Sequence, residues 1–389
     1  MRRELMDNQK PNRKNIEAFQ QNLLQWYQKN KRTMPWRDIE NPYYTWISEI
    51  MLQQTRVDTV IPYFLRFIEK YPRVHDLAKG KDEDLLKLWE GLGYYSRVKN
   101  MKIAAGEVVE KYDGVFPKNP KELQSLKGIG EYTAGAIASI AYEQKEPAVD
   151  GNVLRVMTRI TGNFRDIKLG KTKKEITEGV RALLPEENLG DFNQGLIELG
   201  AVLCTAPKAP DCEGCPVSDF CVAFDKNLQG VLPVKSKGNK KRLEKKTVLI
   251  FTHKDQLFLR KRREQGLLPG LWEFPNVQGH IKEGALKEAL DQEPRLIEKN
   301  LVVENITPLK DSKAVFSHIQ WNLMAYQVDL KYNGAPRQDV GIKEDKRGYP
   351  LWKEELMNNG RWIPKEEIRR DYSIASAFKT YRKEVLSHD

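Results

Sequence analysis

The 389-residue sequence contains few cysteines and no long apolar segment. All four cysteines lie between residues 204 and 221, so no disulfide framework can join distant parts of the chain. The longest stretch without Asp, Glu, Lys or Arg is 15 residues long, 314–328, and still includes Ser, His, Gln and Asn, which excludes a bilayer-spanning segment. The N-terminus, Arg2-Arg3-Glu4 followed by polar residues, lacks the apolar core of a signal peptide. We therefore expect a cytoplasmic protein that has no membrane association.

The sequence also has too few acidic residues to balance its basic ones. Lys and Arg number 65 and Asp and Glu number 54, which gives a net charge of +11 at pH 7. Such a surplus attracts polyanions by steering and counterion release, although many basic proteins have no nucleic acid partner. The composition, 31% charged and 40% hydrophobic, is that of a globular protein, and the length predicts two domains that each bury a core.

Strand-like alternation is scarce in the first half of the chain. From about residue 16 to residue 224 apolar residues recur at three- and four-residue spacing, which predicts helices. Further on, two β-rich runs on either side of His253-Lys254-Asp255 predict a hairpin, and a helix is expected from Ser373 onward. The predicted segments are an N-terminal tail (1–12), an all-α domain (13–228), a basic linker (229–246) and an α+β domain (247–389). The linker is interpreted either as a segment near phosphates or as a solvated tether.

The spacing of the cysteines is typical of one metal centre. They are Cys204, Cys212, Cys215 and Cys221, in the pattern C-x7-C-x2-C-x5-C. Four thiolates so close in sequence suit a single soft-metal site better than four unrelated core positions. The spacing alone leaves zinc and an iron–sulfur cluster both open, because each of them accepts four cysteines.

Three acidic or glycine-rich features carry further candidate chemistry. Residues 126–136 (LKGIGEYTAGA) predict two helices joined at Gly128 and Gly130, with free N–H groups that suit a phosphate. Asp150 begins a predicted helix in AVDGNVLRV, where an isolated Asp would normally be only a cap. Glu49 interrupts an apolar helical run, and burial there would favour its protonated form.

The glycine hairpin, Asp150 and the four-cysteine window together resemble the helix-hairpin-helix DNA glycosylase superfamily, in which such cysteines hold a [4Fe-4S] cluster. Residues 34–37 (MPWR), 42–55 (PYYTWISEIMLQQT) and 91–97 (GLGYYSR) resemble more closely the A/G-specific adenine glycosylases, the MutY family. The resemblance implies an all-α helix-hairpin-helix domain with an iron–sulfur loop, followed by an α+β Nudix-like domain. The first cysteine gap has seven residues here, one more than is common in the family, and we expect the loop to absorb the extra residue.

The same resemblance assigns roles to individual residues. It implies that Glu49 is the general acid to an adenine ring nitrogen, that Asp150 is an ionised carboxylate facing the sugar cation, and that Tyr132 orients both. The remaining implied contacts are Arg32, Trp36, Arg37, Asn152 and Gln194 around the adenine; Gln54, Thr55, Leu92, Tyr94, Phe316, Ser317 and His318 at the DNA wedge and the lesion; Lys127, Gly128, Ile129 and Gly130 at a DNA phosphate; and Cys204, Cys212, Cys215 and Cys221 at the cluster.

The sequence lacks two features that would imply other activities, a lyase lysine and a magnesium-binding glutamate run. Related bifunctional glycosylases carry a Lys at the position of Tyr132, and its amine forms a Schiff base with the sugar, so this chain is predicted to be monofunctional. Residues 279–290 lack the run of glutamates with which a Nudix hydrolase holds magnesium. The C-terminal domain is therefore interpreted as a reader of 8-oxoguanine, through residues 316–318, without hydrolase activity.

We therefore expect a monofunctional glycosylase that flips and excises adenine opposite 8-oxoguanine or guanine. Its expected partner is double-stranded DNA that contains this mispair, and the protein is expected to act as a monomer at the nucleoid, in the cytoplasm. The alternatives are a bifunctional glycosylase and lyase for oxidised pyrimidines, a Nudix-type nucleotide pyrophosphohydrolase, and a lesion sensor without catalysis.

Overall fold

The computed structural model describes residues 13–206, 209–236, 238, 240–292, 301–332 and 359–386. Within these residues the chain forms two compact units. The first contains residues 13–80 and 99–236, and the second contains residues 81–98 together with the described residues from 238 to 386. The predicted N-terminal tail (1–12) lies outside the described residues. None of the described helices is both long enough and apolar enough to cross a lipid bilayer.

The N-terminal half of the chain is helical, as its apolar spacing predicts. The helices are α1 (Arg13–Asn30), α2 (Pro42–Leu52), α3 (Val57–Lys70), α4 (Val74–Ala78), α5 (Asp82–Leu88), α6 (Ser96–Tyr112), α7 (Pro120–Ser125), α8 (Glu131–Ala136), α9 (Gly151–Thr161), α10 (Gly170–Leu183), α11 (Leu189–Val202) and α12 (Val222–Asp225). A π-helical turn, Ile137–Ala141, continues α8, and a 3-10 turn, Ser218–Phe220, precedes α12.

Capping residues set the ends of α2 and α9, two helices that carry residues of the candidate site. The Asn41 side chain accepts the N–H groups of Tyr43 and Tyr44, and Pro42 takes the first helical position of α2. Helix α9 ends at Gly162, whose φ of 65° is in the left-handed region that favours glycine. Because α2 is buried on most of its surface, any polar side chain on it faces the interior or a cavity.

The core beside the cysteine window joins α1, α9, α10 and α11. Its fully or almost fully buried members include Phe19 and Leu23 of α1, Val153 of α9 and Phe192 of α11. Cys204, Cys215 and Cys221 pack against its edge. The cysteine window is therefore fixed to the same helices that carry Asp150 and the end of α11.

The described residues of the second unit form a mixed seven-stranded sheet. Its elements are β1 (Arg242–His253), β2 (Gln256–Lys261), β3 (Trp272–Glu273), β4 (Asn276–Gln278), α13 (Glu283–Gln292), β5 (Leu301–Val315), β6 (Ile319–Tyr332), β7 (Gly360–Pro364), α14 (Lys365–Asp371) and α15 (Lys379–Leu386). The strand order is β3-β2-β1-β6-β5, with β4 paired to β1 and β7 to β2. Only the β1–β6 pair among the described strands is parallel.

The predicted fold class is confirmed: a helical domain precedes an α+β domain. The hairpin predicted around residues 253–255 is β1 and β2, with His253 opposite Gln256. The helix expected from Ser373 begins later, because a 3-10 turn, Ser376–Phe378, comes before α15. Two described parts of the predicted linker have defined structure: Ile167 N–H donates to Val234 O at 3.1 Å, and β1 already begins at Arg242.

Candidate active site

A cavity of about 780 Å³ in the first unit brings together most of the predicted site residues. Its walls come from α2, α8, α9 and α11 and from the turns that follow α1 and α2. The lining includes Glu49, Asp150, Tyr132, Arg32, Trp36, Arg37, Asn152, Gln194, Gln54 and Thr55. All predicted catalytic and adenine-pocket residues therefore share one cavity, large enough for a base with its sugar.

Glu49 is a buried acid of this cavity. It lies on α2, 8% exposed, and its Oε2 accepts a hydrogen bond of 2.5 Å from the Tyr132 hydroxyl. Burial raises the pKa of Glu49 to about 7, although the Tyr132 hydrogen bond acts to lower it. A carboxyl with this pKa is substantially protonated at neutral pH and can serve as a general acid.

Asp150 is the N-cap of α9, as a capping position predicts. Its Oδ1 accepts the N–H groups of Asn152 and Val153 at 2.8 Å each, and its Oδ2 accepts Nδ2 of Asn152 at 2.7 Å. Burial raises the pKa of Asp150, and these donors oppose that effect. The helix N-terminus therefore favours the carboxylate form of Asp150 but does not outweigh desolvation. Its effect on the pKa is weaker than the sequence suggested.

Tyr132 binds one of the two acids rather than both. In the described part of the chain its hydroxyl donates to Glu49, and no hydrogen bond joins it to Asp150. Desolvation raises the pKa of Tyr132 well above its usual value, so its hydroxyl keeps its proton and remains a donor.

Glu198 is a site residue that the sequence analysis missed. It is 1% exposed on α11 and accepts hydrogen bonds from both Arg32 and Arg37, the Arg37 bond measuring 3.0 Å. These bonds orient two guanidinium groups that line the cavity. The available signal was the same one that marked Glu49, an acidic residue inside an apolar helical run, here Leu196-Ile197-Glu198-Leu199.

A second missed residue, Arg155, links the cavity to the cysteine window. Its Nη2 donates to Asn152 Oδ1 at 2.9 Å, and its Nε donates to Cys204 O at 2.8 Å. Asn152 in turn donates to Asp150. Because Arg155 shares α9 with Asp150, helix α9 positions both the acid and the first cysteine.

The two predicted wedge residues share an unusual backbone conformation. Gln54 has φ 59° and Tyr94 has φ 48°, both in the left-handed region, and both side chains are exposed. Left-handed non-glycine residues are uncommon and collect at functional sites. Thr55 follows Gln54 at the cavity wall, whereas Leu92, a predicted lesion contact, is only 6% exposed.

The glycine hairpin has the predicted form. It joins α7 to α8, with Gly128 at φ 79° and Gly130 as the N-cap of α8. Lys127 N–H donates to Glu107 at 2.7 Å, and Gly128 approaches Asn100 so closely that a Cβ would meet it at 2.9 Å. Only glycine fits at that position.

All four cysteines line one pocket beside α9 and α11. Arg159 Nη1 donates to Cys204 Sγ at 3.2 Å, and Gln229 Nε2 donates to Cys212 Sγ at 3.7 Å. Asp211 N–H, next to Cys212, donates to the O of Leu203, next to Cys204, at 3.1 Å. Among the described residues no group of three or more His, Cys, Asp or Glu side chains is placed to hold a metal ion.

The predicted lesion-reading residues form the turn between β5 and β6. Phe316 N–H donates to Ile319 O at 2.8 Å, and Ser317 and His318 are exposed at its tip. The Phe316 ring packs edge-on against Trp321 at 4.9 Å between centroids. Ser317 Oγ and His318 Nδ1 lie 3.2 Å apart, within hydrogen-bond distance of each other, and the exposure of His318 excludes a merely buried histidine.

Comparisons with known proteins agree with this geometry. Residues 47–185 match the model of the HhH-GPD superfamily of base excision DNA repair proteins, and residues 247–384 match that of the NUDIX domain. The "Adenine DNA glycosylase" of Mus musculus is 34% identical, over 84% of this chain and 74% of its own length. That of Buchnera aphidicola subsp. Schizaphis graminum (strain Sg) is 37% identical, over 69% of this chain and 77% of its own.

A solved structure supports the helical part of the fold. The structure of a thermostable thymine-DNA glycosylase is 31% identical, with a TM-score of 0.50, and the match covers 55% of this chain and 98% of that one. The cavity with Glu49 and Asp150, the helix-hairpin-helix match and the similarity to the adenine DNA glycosylases agree. The chain belongs to the adenine DNA glycosylase family, enzymes of base excision repair that hydrolyse N-glycosyl bonds.

Proposed function

We propose that this enzyme removes adenine from duplex DNA where it lies opposite 8-oxoguanine or guanine, acting as a monomer at the nucleoid. One observation carries the proposal: Glu49, with its pKa raised to about 7, and Asp150, held by three donors, line the same cavity. The choice of adenine as the base that is removed rests on the relatives named adenine DNA glycosylases.

The reaction begins with base flipping, since the target bond is inaccessible inside the stack. Gln54 and Tyr94 are exposed and suited to fill the vacated space. Glu49 then donates its proton to an adenine ring nitrogen, and the bond between that base and the sugar breaks with its electron pair going to adenine. Asp150 faces the oxocarbenium ion and combines with it in a covalent adduct. Water then attacks the sugar carbon while the bond from that carbon to Asp150 breaks and its electron pair returns to the carboxylate. Glu49 takes the proton from water, and the sugar keeps the hydroxyl.

The absence of a suitable amine supports a monofunctional enzyme. Within the described chain, no lysine is among the residues that line the cavity. Tyr132 occupies the hairpin position discussed above and is bound to Glu49. Without an amine near the sugar no Schiff base forms, so the product is an abasic site and the strand stays intact.

The pH profile of base release tests the role of Glu49. The acid is active when protonated, so the single-turnover rate should be level below pH 7 and should fall about tenfold per pH unit above it. Single-turnover rates measured on one mispaired duplex between pH 5.5 and 9 would show this fall in rate above pH 7. A rate that rises with pH through 7 would instead identify Glu49 as a base in the limiting step.

The cysteine pocket is proposed to hold a [4Fe-4S] cluster. Four thiols around one pocket supply the four ligands of such a cluster, and the Arg159 guanidinium beside Cys204 Sγ suits a thiolate. Cys204, Cys212, Cys215 and Cys221 would hold the cluster, which would fix the loop beside α9.

Iron analysis of a cysteine variant tests this assignment. Cys215→Ser should lower the iron and sulfide content of the purified protein and the brown absorption with it, because one of four ligands is lost. Ser218→Ala, which alters the same pocket without removing a thiol, should leave both unchanged. Stoichiometric zinc in a colourless wild-type protein would contradict the cluster.

The C-terminal unit is proposed to recognise the base opposite adenine. Ser317 and His318 are exposed on the β5–β6 turn and can both donate and accept hydrogen bonds, which suits the edge that distinguishes 8-oxoguanine from guanine. Helix α13 carries only Glu283 and Glu288 as glutamates, too few for the magnesium site of a pyrophosphohydrolase.

A glycosylase assay on matched duplexes tests the whole proposal. Single-turnover base release would be measured with 8-oxoguanine, guanine or thymine opposite adenine, and we expect the first to be fastest and the last slowest. Borohydride should trap little or no protein on the DNA, and strand cleavage should need added alkali. Efficient trapping would favour the bifunctional alternative, and pyrophosphate release from oxidised dGTP would favour the Nudix hydrolase.

A further inference from the structure

The segment that carries Leu92 and Tyr94 is a structural part of the second unit. Residues 81–98 group with the C-terminal residues, although they lie within the helical half of the sequence. Glu90, two residues after the end of α5, is the centre of this attachment. Its Oε1 accepts Ile374 N–H at 3.1 Å and pairs with the Arg382 guanidinium.

Lys87, three residues before Glu90, contributes to the same attachment. Its Nζ lies 3.2 Å from Glu90 Oε2 and donates to Tyr372 O at 3.1 Å and Ile368 O at 3.4 Å. The side chains of Lys87 and Glu90 are 22% and 15% exposed. Ion pairs this far from solvent are stronger than surface pairs, and removing one partner leaves the other inadequately compensated. The attachment is therefore a specific connection.

Side chains of Trp89 and Arg97 hydrogen-bond to the turn between Glu90 and Tyr94. Trp89 is fully buried, and its Nε1 donates to Gly93 O at 3.0 Å. Arg97 Nη2 donates to Leu92 O at 3.0 Å and to Gly93 O at 3.1 Å. The Arg97 guanidinium also lies 5.2 Å from the Trp89 ring and 5.8 Å from the Tyr94 ring. These bonds connect Trp89, the neighbour of Glu90, and Arg97 to the backbone of the two residues before Tyr94.

The exposed end of this turn is conformationally strained. Gly91, Gly93 and Tyr94 all have φ in the left-handed region, at 107°, 72° and 48°. A tyrosine adopts such a φ only when its surroundings impose it. Tyr94 is nevertheless 49% exposed, so the constraint comes from the bonded turn behind it and not from burial of its own ring.

We infer that Glu90 is a positioning residue that attaches the Tyr94 turn to the lesion-reading unit, so that recognition of 8-oxoguanine increases the efficiency of wedge insertion. The inference rests on the proposed function. Loss of Glu90 then lowers the rate of base release opposite 8-oxoguanine. It lowers the rate opposite guanine less, because the helical cavity that binds adenine is unchanged.

The test compares Glu90→Gln with Glu83→Gln in the full-length protein. Glu83 is a matched control, since it lies on the same segment and pairs with Lys261 of the same unit at 3.0 Å, but it is exposed and remote from the turn. Single-turnover base release would be measured with 8-oxoguanine and with guanine opposite adenine. Hydrogen exchange of the amides of residues 91–95 and thermal unfolding would be measured in parallel.

Glu90→Gln should lower the ratio of the two rates about tenfold, a usual size for coupling between two sites, and should speed exchange in residues 91–95. Glu83→Gln should leave both readings at the wild-type level. Arg382→Gln should reproduce the effect with Glu90 intact, and it replaces Glu90→Gln if that variant is unfolded.

An unchanged rate ratio in folded Glu90→Gln would overturn the inference, even if exchange became faster, because the attachment would then be structural only. A wild-type enzyme with equal rates on both duplexes would first refute the proposed lesion preference, and the inference with it. Equal loss of ratio in both glutamate variants would assign the effect to charge on the segment rather than to Glu90, and would also overturn the inference.

Discussion

Glu49→Gln is expected to slow adenine release by roughly 10²–10⁴-fold, the usual contribution of a positioned general acid. Glutamine has almost the same shape and can still accept the Tyr132 hydrogen bond, so the cavity is retained while the transferable proton is lost. Single-turnover rates with saturating enzyme separate this loss from weaker binding. The fall in rate above pH 7 should disappear in the variant.

Glu131→Gln is the matched control for this substitution. Glu131 is an exposed glutamate next to Tyr132 in sequence, and its replacement should leave the rate within about threefold of wild type, because surface changes away from the chemistry have small effects. If Glu49→Gln retained most of the wild-type rate, the proton to adenine would have to come from another group, and the proposed mechanism would be wrong.

Glu49→Gln should also stabilise the folded protein above pH 7. Because the pKa of Glu49 is raised from 4.5 to about 7 on folding, the folded state binds its proton more tightly than the unfolded state does. The stability associated with that proton is complete below pH 4.5 and is lost as the pH rises through 7. Above pH 7 the ionised carboxyl costs on the order of 3 kcal/mol, which glutamine removes. Thermal unfolding should therefore show a higher Tm for Glu49→Gln at pH 8 and little difference near pH 4.5.

Asp150→Asn is expected to slow base release by about 10²–10³-fold, the usual effect of removing one group that stabilises a transition-state charge. Asparagine is a good N-cap and can still accept the Asn152 and Val153 N–H groups, so helix α9 should remain intact. What is lost is the negative charge facing the sugar cation and the carboxylate oxygen that would bond to it.

Asp166→Asn is the control for this effect. Asp166 also accepts two backbone N–H groups, from Lys168 at 2.8 Å and Ser236 at 3.1 Å, but it is not among the residues that line the cavity. Its substitution should leave single-turnover rates unchanged. If Asp150→Asn released adenine from an 8-oxoguanine duplex at the wild-type rate, the capping role alone would account for Asp150.

Features that depend on neighbours in sequence were predictable. Asp150 as a cap bonds residues two and three positions away, and the turn at Gly128 and Gly130 lies between two helices that the apolar spacing already indicates. Glu49 stood out because it interrupts an apolar run, and its burial follows from that run. The roles of these residues, however, came from resemblance and not from spacing.

Features that depend on distant partners were not predictable. Glu198 pairs with Arg32 and Arg37 across 166 and 161 positions of sequence, and no pattern in α11 indicates which cations it meets. The attachment of Glu90 to Ile374 spans 284 positions. The late start of α15 and the hydrogen bond of Ile167 to Val234 in the predicted linker likewise depend on packing that local propensity does not contain.

The sequence by itself determined the helical and strand-rich halves, the glycine hairpin, the four-cysteine window and the family, because each depends on local spacing or on matched motifs. The tertiary structure decided which of these residues share a cavity, how burial raises the pKa of Glu49, and which unit holds the Tyr94 turn. The reason is physical: desolvation and ion pairing depend on all atoms within a few ångströms, and in a folded chain most of those atoms come from residues far away in sequence.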